Sequence, residues 1–139
     1  QVRRRLPNRR RKLISLDITP QVAGSRMLMQ GYGDGGFRIA GDRFEGSHII
    51  FPDRIYPWPV TSLADITLES LSAVIKNSSY IDILIIGCGE VFQPIPDDLG
   101  EGLKKHGIVL EWMDTPAGCR TFNVLLVEER PIAAALLAI

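Results

Sequence analysis

Two short stretches hold the residue types from which a site could be built. Met113-Asp114-Thr115-Pro116, followed by Arg120 and Asn123, reads as the end of a strand entering a capped helix, with polar groups gathered at the junction. Amides at a helix start point outward unpaired and carry partial positive charge, so an anion or a partner's carboxylate could dock there. Arg120 and Asn123 are three residues apart and hence neighbours on the helix surface. The second stretch, Gly87-Cys88-Gly89-Glu90, ends an apolar strand. Glycines beyond the carboxyl end of such a strand let a ligand or another backbone come close. Gly87, Gly89, Asp114, Thr115, Arg120 and Asn123 therefore line a candidate pocket. The competing reading is architectural: Thr115 caps the helix, Asp114 pairs with Arg120 or the helix start, and Asn123 bonds an adjacent loop.

Neither stretch specifies a reaction. Cys88 would need a neighbouring base or helix start to become a nucleophile, and no local motif supplies one. His48 falls within a strand pattern and His106 in the last turn of a helix. No spacing of His, Cys, Asp or Glu resembles a metal site. Tyr32-Gly33-Asp34-Gly35-Gly36 lacks the Gly-Lys-Ser/Thr ending of a phosphate loop and reads as a turn. No catalytic residue, metal or cofactor is expected, and the chain reads as a non-enzyme.

The elements that must position these residues follow from periodicity. Leu13 to Ile18, Met27 to Tyr32, Phe37 to Ala40, Arg43 to Phe51 and Ile55 to Trp58 have strand patterns, with a tight hairpin at Gly41-Asp42. Beyond Pro57 and Pro59, strands and helices alternate. Thr67 as N-cap, with Ile66 and Leu71 placed as a hydrophobic staple, opens a helix over about Leu68 to Lys76. Tyr80 to Ile86 is a β-branched apolar run expected at the centre of the sheet. A second helix begins near Pro96 and ends before Gly107; its acidic first turn and basic last turn complement the helix dipole. Ile108 to Met113 is the next strand, and Thr115 as N-cap with Pro116 opens the third helix. Pro131 stops it, leaving Ile132 to Ile139 as a last strand or a short helix.

With 139 residues, 45% of them hydrophobic, the chain fits one α/β domain over residues 13–139: a mixed β-sheet with about three helices and an N-terminal antiparallel hairpin region. No run approaches the ~20 apolar residues needed to cross a bilayer, which favours a soluble protein. Cys88 and Cys119 are too few for a disulfide framework, and a reducing compartment is the simpler reading. The 16 basic and 16 acidic residues are segregated. Residues 1–12 hold seven of the basic residues and no acid, so the remainder carries about −7. A disordered basic arm thus precedes an acidic domain. The arm reads as a solvated terminus, as an electrostatic contact for anionic membrane or nucleic acid, or as the remnant of a targeting sequence. Nucleic acid is the weakest of the partners considered.

From Met27 to Leu137 the chain resembles the small α/β family that includes mitochondrial complex I assembly factor 3 and the adipogenesis-associated domain protein. The landmarks are Phe37-Arg38-Ile39-Ala40-Gly41, Phe44-Glu45-Gly46-Ser47, Trp58, Ile86-Gly87-Cys88-Gly89, Met113-Asp114-Thr115, Asn123 within the third helix, and Arg130 followed by Ala133-Ala134-Ala135-Leu136. The resemblance implies a mixed-sheet α/β fold and an assembly role exercised through protein contacts, with components of the respiratory chain as partners. The implied location is the bacterial cytoplasm or the mitochondrial matrix. Trp58 and Arg130 join the polar junction as candidate binding residues on this basis. The chain departs from the family at Cys88, Phe122 and Glu129, where threonine, tyrosine and glycine are usual. Pro131 departs too, and puts the pairing of the last strand at the sheet edge in question. The leading expectation is a non-enzymatic interaction or assembly factor. The alternative is a small-molecule binder or enzyme using the Gly87/Asp114/Asn123 strand ends.

Overall fold

Strands with both faces apolar must be covered on both sides, and that requirement organises this molecule. The computed structural model describes Ile14–Ser15 and residues 26–139; the basic arm and the rest of the first strand pattern lie outside the described residues. In chain order the elements are β1 (Ile14–Ser15), β2 (Met29–Gly33), β3 (Gly36–Ile39), β4 (Asp42–Glu45), β5 (His48–Phe51), β6 (Arg54–Pro57), α1 (Ser72–Lys76), β7 (Ile83–Gly87), α2 (Leu99–Lys104), β8 (Val109–Met113), α3 (Thr115–Val127) and β9 (Ile132–Leu136). A four-stranded antiparallel sheet has the order β1-β2-β3-β4, and a five-stranded mixed sheet the order β6-β5-β9-β7-β8. Together they form a single α/β domain.

The larger sheet separates two cores. Leu84, Ile86, Ala133, Ala135, Ile49 and Phe51 face one side, against Trp58, Ile66, Leu71, Leu99 and Leu103. Ile85, Ala134, Leu136 and Ile50 face the other, against Cys119 and Phe122 of α3 and Met29, Phe37 and Ile39 of the smaller sheet. The period-two alternation of strand side chains produces this division.

The last strand settles an open alternative and corrects two expectations. Residues 132–136 form a strand, and it is the middle strand of the larger sheet, antiparallel to β5 and parallel to β7. The longer run before Gly87 sits one place from the centre. Pro131 does not disturb the pairing because it precedes the first paired residue, and its carbonyl still accepts from the N–H of Asp82 at 2.8 Å. All five residues of β9 are buried. Its three alanines let cover approach from both sides.

Other boundaries moved for local reasons. The Arg43–Phe51 pattern is two strands in different sheets, broken at Gly46, whose φ of +82° turns the chain. The hairpin turn is Ala40-Gly41 rather than Gly41-Asp42: both have positive φ, and Ile39 pairs with Asp42. Thr67 and Ser70 exchange side-chain to backbone bonds as a capping box, yet the turn they open, Glu69–Leu71, is 3-10 and the α-helix starts only at Ser72. Helix α3 ends in a Schellman motif in which Glu129 N–H donates to Leu126 C=O and Arg130 N–H to Leu125 C=O. Glu129 there has a φ of +59°, the left-handed conformation that glycine adopts without strain.

Candidate functional site

The carboxyl ends of β7, β8 and β9 meet at Thr115. Its side chain is fully buried, and its Oγ1 donates to the Leu137 carbonyl at 2.8 Å while accepting from the Gly89 N–H at 3.0 Å. Its own N–H donates to the Gly89 carbonyl at 2.8 Å. Leu137 N–H in turn donates to the Gly87 carbonyl, and Cys88 N–H to Met113. One threonine thus ties three strand ends that lie far apart in sequence. Gly87 makes the contact possible, because a Cβ there would lie 2.8 Å from the Cα of Thr115.

The N-cap of α3 is Asp114, not Thr115. The Asp114 carboxylate accepts from Ala117 N–H at 2.8 Å, and its carbonyl accepts from Gly118 N–H. Threonine in this position is committed to the strand ends, which leaves the aspartate to cap. Pro116 has no N–H to offer. Every backbone N–H of the first turn therefore has a partner within the chain, and the unpaired amides expected of an anion site are absent from this helix start.

The remaining candidates do not converge on this point. Asn123 lies eight residues, or roughly 12 Å, further along the helix. Its Oδ1 accepts from Met29 N–H at 2.9 Å and its Nδ2 donates to the Met29 carbonyl at 2.7 Å, so the amide joins α3 to β2 as a neighbouring strand would. Arg120 is exposed. Its guanidinium slightly offsets the burial that pushes the Cys119 thiol up to about 12. Arg130 makes a surface pair with Glu128 at 3.5 Å. Trp58 is not on the surface: it belongs to the core on the opposite side of the sheet, and its indole N–H donates to the Ser70 carbonyl at 2.9 Å. Gly87, Gly89, Asp114 and Thr115 are thus brought together, whereas Trp58, Asn123 and Arg130 lie elsewhere.

An open hollow of about 540 Å³ lies at the other end of the strands, lined by Arg26, Phe51, Pro52, Asp53, Arg54, Tyr80 and Ile132. None of the sequence candidates borders it. Among the described residues no group of His, Cys, Asp and Glu is arranged to hold a metal.

The architecture and its landmarks agree with one family. Residues 29–137 match the family described as "Protein of unknown function (DUF498/DUF598)". The chain belongs to this family. Among DUF498/DUF598 relatives, the Danio rerio protein named NADH dehydrogenase (ubiquinone) 1 alpha subcomplex assembly factor 3 is 37% identical over 88% of this chain and 71% of its own length. An uncharacterized Rhodobacter capsulatus protein is 34% identical over 85% of this chain and 89% of its own. A Bartonella henselae crystal structure, described as that of an outer membrane protein, superposes with a TM-score of 0.76 at 39% identity, covering 83% of this chain and 97% of the other. The chain spans about two thirds of the length of the vertebrate assembly factors it matches.

Sequence reasoning overlooked the loop between β7 and α2. Val91, Phe92 and Ile95 are 61%, 63% and 47% exposed. The available signal was Val91-Phe92-Gln93-Pro94-Ile95-Pro96 itself: the prolines bar regular pairing, so its apolar side chains have no element to bury them.

Proposed function

We propose that this chain is a non-enzymatic assembly factor that binds a component of respiratory complex I, in the mitochondrial matrix or the bacterial cytoplasm. The observation that carries the reading is the 37% identity, over 88% of the chain, to a protein named as such a factor. The internal use of the junction's polar groups adds support, since Asp114, Thr115 and Asn123 have architectural roles that account for them. The Arg-rich first 12 residues add electrostatic attraction toward anionic membrane near the assembling complex. Among the described residues no helix is long and apolar enough to cross a membrane.

Disruption of the gene in its own host, followed by native gels of the respiratory complexes, tests the reading. The expected result is loss of mature complex I with accumulation of subassemblies, restored by the wild-type gene. Normal complex I in the disruptant, together with no binding of the purified chain to any complex I subunit, would overturn it.

A further inference from the structure

We infer that the β7–α2 loop is the docking element for the protein partner, and that Phe92, flanked by Val91 and Ile95, enters an apolar cleft whose rim carries lysine and arginine. The inference rests on the assembly-factor reading and assigns it a surface. Large apolar side chains that face water gain by burial, so three of them exposed within five residues mark a place awaiting cover.

The loop is not exposed because it is loose. Cys88 Sγ accepts from Gln93 N–H at 3.3 Å and donates to the Val91 carbonyl at 3.6 Å. The indole N–H of Trp112, on the neighbouring strand, donates to the Gln93 carbonyl at 2.7 Å. Pro94 and Pro96 fix two further backbone angles. The apolar tip is held in place before any partner arrives, which lowers the entropy lost on docking. Cys88 thereby acquires a structural role, since its buried thiol fastens the loop from beneath.

The rim of the partner follows from charge. Glu90 precedes the apolar tip and Asp97 and Asp98 follow it; among the described residues none of the three forms an ion pair. No basic residue lies between Ile81 and Glu101. A surface presenting phenylalanine among unpaired carboxylates complements an apolar cleft edged by cations, and repels acidic surfaces and anionic lipid alike.

The test measures binding of the full chain to each purified complex I subunit of its host, by surface-immobilised interferometry, for wild type, Phe92→Ser and Glu90→Lys/Asp97→Lys. Phe92→Ser should weaken binding to the cognate subunit at least tenfold with an unchanged melting temperature. The charge reversal should slow association and remove most of the salt dependence seen between about 0.05 M and about 0.5 M. A subunit that binds wild type and Phe92→Ser equally would overturn the docking element while leaving the assembly reading intact. If no subunit binds wild type, the docking element is overturned, and the native gel of the disruptant decides the assembly reading separately. Sedimentation of the chain alone closes the remaining route: self-association abolished by Phe92→Ser would make a second copy the occupant and overturn the inference.

Discussion

The β8–α3 junction and the β7–α2 loop leave neighbouring parallel strands at the same end of the sheet, and they use their side chains in opposite ways. At the junction Thr115 and Asp114 turn their polar atoms inward, onto Gly89, Leu137 and Ala117. In the loop the inward contacts fall to Cys88 and Trp112, and the large apolar side chains face out. A polar cluster at a strand end suggests a site, and an apolar loop suggests core. Here the polar cluster is the fastening and the apolar loop is the free surface.

The difference is open to breaking by substitution. Gly87→Ala should have the largest effect, a loss of about 3 kcal/mol, because its new methyl meets the backbone of Thr115 and cannot be relieved by a side-chain rotation. Urea unfolding measures it. Thr115→Val keeps the shape but leaves the Gly89 N–H and the Leu137 carbonyl without their partner, at about 2 kcal/mol, and Thr115→Ser should restore most of that.

Cys119 sharpens the same contrast through pH. Burial raises its thiol from 9.0 to about 12, with Arg120 opposing weakly. The unfolded chain therefore loses this proton first. The contribution is complete below about pH 9 and is lost as pH rises toward about 12. Cys119→Ala should flatten the decline between pH 8 and 10, measured by urea titration, by about 1 kcal/mol. Phe92→Ser sits at the other extreme: stability should change by less than about 0.5 kcal/mol, since the ring is 63% exposed.

The sequence was most informative where the determinants were local. Pro116 at a helix start, Gly107 beyond the end of α2 and the alternation through β2 and β3 all rest on neighbours in the chain. It was least informative where a distant partner decides. Asp114 and Thr115 are both competent caps, and the choice between them depends on Gly89 and Leu137, 26 and 22 residues from Thr115. Asn123 finds its strand 94 residues away. Trp58, between two prolines, resembles an exposed contact residue until the Ser70 carbonyl and the core beneath α1 are in place. The family resemblance was legible because its landmarks are spread over the chain. The phenylalanine that we assign to the partner is outside them.

Hydrogen exchange of the full chain, free and bound to the complex I subunit proposed as its partner, tests this division of roles most directly. The account predicts new protection across residues 90–98, with residues 114–118 already slow in the free protein and unchanged on binding. Protection that appears at 114–118 and leaves 90–98 untouched would contradict it.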